Sequence, residues 1–307
     1  MKFFLCLFLF LFLTKEASSS TTIISLSKTD KTDKDFPYVG SLINMNNGTG
    51  GSGTVIGDGS FVITARHVIT SDGSKKGMLL DSSNFLFIAE NKLVSIDEVY
   101  GHPFCDLAIL KLSEKLSTAA KISQRRSLTG IEFYGVGFGK GCKDPKFNSI
   151  NWDVPYGTKR VYKNTIQSVE TYIEFNYGYV QKERNIVFVL KNISTLGQDR
   201  GAIQGEGMHG PGDSGGGLFI SSYNHENHLI GIISAIGTEP IIFGIATDAL
   251  NCKEWITQIV PDAFEAQKIE ATSSSSVLKH KPSFKVDTYN EYVIPNKRRI
   301  RIKKQLA

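Results

Sequence analysis

Short apolar runs separated by Gly, Asn, Asp and Ser recur along most of the 307-residue chain, a pattern that predicts β structure with many reversals. Phe36-Pro37-Tyr38-Val39-Gly40-Ser41-Leu42-Ile43 reads as a first strand, followed by a glycine-asparagine loop over 44–53. Thr54-Val55-Ile56 and Phe61-Val62-Ile63-Thr64 flank Gly57-Asp58-Gly59, the signature of a hairpin. Further strands are predicted over 78–80, 85–88, 93–96 and 107–112, then over 131–138, 172–175, 186–190, 217–220, 229–234 and 241–247. Residues 113–127 connect two halves, and 142–165, with Pro145 and Pro155, reads as long and irregular. Only 250–260 has helical spacing, with Trp255, Ile256 and Ile259 on one face.

The two ends follow different rules. Lys2 precedes an apolar run from Phe3 to Leu13, then Ala17 and serines, which reads as a secretory leader ending near residue 20. The run is too short for a span of roughly 20 apolar residues. Residues 21–35 form an exposed polar arm. From 261 the composition turns to Ser and Lys, ending in Lys297, Arg298, Arg299, Arg301, Lys303 and Lys304. Much of the formal charge of +5 sits there, a flexible tail that could meet an anionic glycan or surface.

The hydrophobic fraction of 41% and 29 glycines suit a globular, turn-rich protein. With Cys6 in the leader, Cys105, Cys142 and Cys252 leave room for one bridge, with Cys142 and Cys252 the expected pair. The core must therefore supply most of the stability. Asn47-Gly48-Thr49 and Asn192-Ile193-Ser194 fit the N-glycosylation pattern. The main domain spans 36–260, in halves of 36–125 and 126–250 with a helix at 250–260.

Gly210-Pro211-Gly212-Asp213-Ser214-Gly215-Gly216-Gly217 is too rich in glycine for a helix or strand interior and reads as a tight loop around an Asp-Ser pair. Alone it could be a surface turn. Two other polar residues also stand beside apolar strands: His67, after the 61–64 run, and Asp106, before the 107–112 run. Serine is a weak nucleophile until a base takes its proton, histidine titrates near neutrality, and a buried carboxylate orients the imidazole.

Thr64-Ala65-Arg66-His67, Asp106-Leu107-Ala108-Ile109-Leu110 and Gly212-Asp213-Ser214-Gly215-Gly216 resemble the three signature segments of the chymotrypsin/trypsin family, in that family's order. Gly137-Phe138-Gly139 and Ser234-Ala235-Ile236 are similar to two further family segments. The resemblance implies an all-β fold of two antiparallel barrels with a C-terminal helix. It implies a secreted serine endopeptidase, with Ser214 as nucleophile, His67 as base and acid, Asp106 as its partner, and the Gly212 and Ser214 N–H groups as oxyanion hole. No cofactor or metal is implied; the partners are protein or peptide substrates, and the enzyme is expected to be a monomer.

The chain also departs from the family. Met208 stands where basic-specific relatives carry Asp, so an apolar P1 residue is expected and Arg or Lys is not. Ile236 should narrow the pocket and Gly244 should leave its far wall open; Ser234 lines it, and His209 could instead favour an acidic P1. Cleavage after Thr22 would free Ile23 to pair with Asp213; otherwise Asp213 finds an internal partner and there is no zymogen. The rival reading is a non-catalytic homologue serving as a binding module, disfavoured because all three residues are present. An HtrA-like protease is disfavoured by Asp213 and the short tail.

Overall fold

The computed structural model describes residues 30–141, 152, 154–170, 184–190, 206–222, 225–237 and 242–266, with four short strand pieces at 173–174, 180–181, 290–292 and 300–302. Twelve strands close into two six-stranded antiparallel barrels. The first contains β1 (Val39–Asn44), β2 (Gly50–Ile56), β3 (Phe61–Thr64), β4 (Phe85–Ala89), β5 (Lys92–Gly101) and β6 (Ala108–Leu112), in the order β1-β2-β3-β6-β5-β4. The second contains β7 (Glu132–Gly137), β8 (Arg160–Glu170), β11 (Asn185–Val189), β12 (Gly217–Ser221), β13 (Asn227–Gly237) and β14 (Phe243–Asp248), in the order β11-β14-β13-β12-β7-β8. β9 (Ile173–Glu174) pairs with β10 (Val180–Gln181), and β15 (Asn290–Tyr292) with β16 (Ile300–Ile302). The helix α1 (Lys253–Ile259) follows a 3-10 turn over Ala249–Cys252.

The predicted hairpin forms as β2 and β3, with Val55 opposite Val62. Alternation is clean where one face is solvated: β4 runs buried, half-buried, buried along Phe85–Ala89. β2 is buried on both faces over Gly51–Ile56, because it lies under the Gly/Ser loop of the second half. Phe36 joins the two barrels, its ring 5.1 Å from Phe219 and 6.0 Å from Tyr134. Full burial of such a ring contributes roughly 1.5–3 kcal/mol.

Four expectations change, the first being the loop read over 44–53, which gives way at Gly50 to β2 because Gly50–Gly53 pair with β1. The strand predicted over 78–80 is reduced to a single bridge between Thr70 and Leu79. The stretch read as irregular ends in a full strand, β8, whose inward positions include the polar Arg160 and Asn164 beside Tyr162; these conceal the alternation. Cys252, expected opposite Cys142, instead meets Cys105, with the two Sγ atoms 2.9 Å apart. The turn over Ala249–Cys252 brings it there, and Cys142 lies outside the described residues, as do the leader and Asn192.

Candidate active site

β3 ends at Thr64, and the chain turns at once into a 3-10 turn over Arg66–Ile69 that carries His67. Asp106 enters from the neighbouring strand, just before β6, which pairs with β3 through Thr64 and Ala108. The two side chains are thus neighbours by register. His67 Nδ1 donates to Asp106 Oδ2 over 2.8 Å, and the His67 backbone N–H donates to Oδ1 over 2.9 Å. A carboxylate can only accept, so this contact puts a proton on Nδ1 and leaves Nε2 to act as base.

Asp106 has no exposed surface. Burial alone would push its pKa up, but His67, the Lys75 ammonium 3.7 Å away and the Ser234 hydroxyl outweigh it and hold the carboxyl well below the usual range. Ser234 Oγ donates to Oδ2 over 2.6 Å. It sits where β13 bulges against β14, between Ile233 and Ala235, and the bulge turns its side chain out of the ladder. Lys75 is held near by Arg66, whose guanidinium bonds the carbonyls of Lys75 and Gly77.

Ser214 lies in the loop before β12. His67, Ser214 and Gly212 line one cleft of about 460 Å³ with Leu42, Thr49 and Val68. Gly212 has φ +92° and faces the Tyr156 ring, which a methyl group would strike at 1.9 Å. A side chain there would be strained as well as obstructed. Among the described residues, neither the Gly212 nor the Ser214 N–H donates to a backbone carbonyl. Ser52 of β2 holds the opposite side of this loop: its N–H donates to the Ser214 carbonyl over 2.8 Å, and its Oγ donates to the Gly212 carbonyl over 3.0 Å. The N–H groups opposite those carbonyls, of Asp213 and Gly215, donate to the Gly210 and Ile233 carbonyls over 3.0 and 2.8 Å, so the loop is held on both sides while the Gly212 and Ser214 N–H groups stay out of this backbone network.

A family model described as a trypsin-like peptidase domain matches residues 51–232. The chain belongs to the trypsin-like peptidase family. The Rv3671c protease of M. tuberculosis, crystallised in its active form, superposes on this peptidase with a TM-score of 0.51 at 14% identity, covering 84% of this chain and 96% of that one. At that identity the likeness is one of fold. No curated protein matches the sequence.

The residues expected to set specificity in this peptidase do not line the cleft beside His67. Met208 has no exposed surface and belongs to the second barrel's core with Phe188 and Tyr162. His209 is likewise buried; Tyr162 and the Ala235 carbonyl engage its two ring nitrogens at 3.2 and 2.7 Å. A carbonyl can only accept, so Nε2 carries the proton and Tyr162 donates to Nδ1. Burial lowers the His209 pKa to about 4, the Ala235 carbonyl opposing it. Both nitrogens are engaged inside the barrel, which removes the basis for an acidic P1. Nor does Gly244 leave an open wall: a methyl there would meet the Phe188 ring at 2.4 Å and His209 Cε1 at 2.7 Å. Ile236 is half-buried and packs against the same core.

Asp213 turns away from the cleft. Its Oδ1 accepts from the Gly139 N–H over 2.7 Å and its Oδ2 from the Gly210 N–H over 2.8 Å. Burial raises its pKa to about 6, against these two donors and the positive charge of Arg160. The buried Arg160 guanidinium bonds the Gly139 carbonyl, and through a second nitrogen the Pro155 carbonyl at 3.1 Å. One residue, Gly139, therefore joins arginine to aspartate through its carbonyl and its N–H. Ile23 lies outside the described residues. Nothing in the sequence pattern marked Ser52, Lys75 or Arg160, although the Arg66 beside His67 could have pointed to a loop held at that end.

Proposed function

We propose that this peptidase is a secreted, monomeric serine endopeptidase working through His67, Asp106 and Ser214. The observation that carries the reading is the His67 Nδ1 contact with a fully buried carboxylate, on a ring that shares its cleft with Ser214. Ser214 Oγ attacks the scissile carbonyl carbon while His67 Nε2 takes its proton. The carbonyl oxygen becomes an oxyanion and accepts from the Gly212 and Ser214 N–H groups. On collapse the C–N bond breaks, and His67 gives its proton to the leaving amine. Water then repeats the sequence on the acyl-enzyme, releasing the acid and restoring Ser214. Asp106 stays ionised throughout, its low pKa keeping the proton on His67.

The preferred P1 residue on this reading is small or medium and apolar. The support is the sequence position alone: no carboxylate stands at 208 to pair with Lys or Arg, the Met208 side chain itself lying in the barrel core. The basic end of the chain, 297–304, is where an anionic glycan or surface would bind. Two internal donors already satisfy the Asp213 carboxylate, which favours an enzyme that needs no new N-terminus.

Hydrolysis of a denatured protein substrate tests the reading. The wild-type chain should cleave it, and Ser214→Ala and His67→Ala should each lose on the order of 10⁴-fold or more in kcat. A wild-type chain that binds the substrate without cutting it, whether or not its leader is removed, contradicts the proposal and favours a binding module. A P1-diverse peptide library tests the preference, and dominant cleavage after Arg or Lys rejects it.

A further inference from the structure

Cys105 stands immediately before Asp106 and Cys252 immediately before α1, and both are buried. Their Sγ atoms are 2.9 Å apart although the residues are 147 positions apart in sequence. The surrounding loop fixes this approach. His102 Nδ1 accepts from the N–H groups of Phe104 and Cys105 over 3.1 and 2.9 Å, and its ring packs edge-on against Trp255 of α1 at 5.0 Å. The Leu107 N–H donates to the Cys105 carbonyl over 2.8 Å, and the His102 N–H to the Leu107 carbonyl over 2.8 Å. The backbone from 102 to 107 is therefore closed on itself, with one thiol directed at the other.

We propose that Cys105 and Cys252 are a disulfide site that ties the Asp106 loop of the first barrel to the helix closing the chain's second half. His102 lies close enough to both sulfurs to suggest a metal site instead. The geometry favours the bridge. Two thiolates on a tetrahedral zinc ion sit about 3.8 Å apart, at Zn–S distances of about 2.3 Å. The Nδ1 lone pair of His102 is already engaged by two N–H groups. No fourth His, Cys, Asp or Glu among the described residues joins the group.

The bridge forms by exchange with a small-molecule or protein disulfide in an oxidising compartment. One protein thiolate attacks the incoming disulfide and expels a thiolate. The second protein thiolate then attacks the mixed disulfide and expels the other. Two protein thiols become one S–S bond, and the incoming disulfide leaves as two thiols carrying the two protons. Because Cys105 adjoins Asp106, the bridge holds the backbone of the residue that orients His67.

The test uses the full chain made with its leader through an oxidising secretory route. Thiols are alkylated in denaturant before any reduction, and the protein is then mapped by peptide mass spectrometry. The expected result is a linked pair of peptides carrying Cys105 and Cys252, two hydrogens lighter than the sum of the reduced peptides, with Cys142 alkylated. Reduction should lower Tm by on the order of 5–15 °C. C105S/C252S should melt near the reduced wild type and ignore the reductant. Alkylation of all three cysteines before reduction overturns the proposal, as does a link from Cys142 to either partner. So does one equivalent of zinc released by a chelator, with both thiols reactive afterwards. The mapping and the reductant-dependent melt need only wild-type protein, so the proposal stands or falls even if the variant does not fold.

Discussion

Ser234, on the second barrel, donates to Asp106 of the first across 2.6 Å, on the same oxygen that accepts from His67. The bond is buried between the barrels and makes the orientation of the histidine depend on how they meet. Ser234→Ala removes a donor from a buried carboxylate, a loss of about 1–3 kcal/mol. The expected result is a fall in kcat/KM of about tenfold to a hundredfold with near-UV circular dichroism unchanged. Unchanged kinetics would assign the bond to packing alone.

Ser52→Ala should act on the other catalytic segment. Its hydroxyl accepts from the Phe138 N–H over 2.9 Å and donates to the Gly212 carbonyl, and the variant loses both bonds. The Gly212 carbonyl then loses its anchor and the 212–214 loop can shift against β2, so kcat should fall by about 10–100-fold while KM stays within about twofold. Steady-state kinetics on a peptide substrate checks this. A rise in KM at constant kcat would mean that Ser52 serves substrate binding instead.

Gly212→Ala should cost more, on the order of 10²–10³ in kcat, by displacing the N–H proposed as an oxyanion donor. Its φ of +92° disfavours any side chain, and the methyl meets Tyr156. Adding Tyr156→Ala removes the collision and leaves the backbone strain. The double variant should therefore remain impaired, and recovery would show that the ring was the whole obstacle.

Asp213 and His209 should oppose each other in the pH dependence of stability. Asp213 has a folded pKa of about 6, above its ordinary 3.8, so between these values the folded state holds a proton that the unfolded state has released. Stability from this group falls as pH rises through that window. His209 has a folded pKa of about 4, below 6.5, so there the unfolded state holds the extra proton and stability rises with pH. Wild-type melting temperature should thus vary little between about pH 4 and 6. His209→Gln should expose a fall across this range and Asp213→Asn a rise, read by thermal melts at fixed ionic strength. Parallel profiles in the two variants would contradict these assignments.

Much of this site was legible because its chemistry lies next to its own strands. His67 follows β3 and Asp106 precedes β6, and both apolar runs mark themselves by composition. The supporting residues were not legible, since their partners are remote in sequence. Ser52 serves Gly212 from 160 positions away, and Ser234 serves Asp106 from 128. Ser52 has no local pattern that a hydroxyl elsewhere would lack, and Ser234, expected from its Ser-Ala-Ile segment to line the substrate pocket, gave no sign of a bond to Asp106. Arg160 was hidden differently: a buried cation on an inward position of β8 breaks the alternation that would have revealed the strand. Position relative to Ser214 singled out Met208, but the core packing of Phe188 and Tyr162 determines where its side chain goes.

Covalent labelling tests the central claim most directly. A fluorophosphonate reacts with a serine only when a base activates it and an oxyanion site receives the phosphoryl oxygen. The full-length chain and its leader-free form should be incubated with the probe and mapped by mass spectrometry. The account predicts one adduct, on Ser214, abolished in Ser214→Ala and strongly slowed in His67→Ala. No adduct in either form, or an adduct that persists in Ser214→Ala, would contradict it.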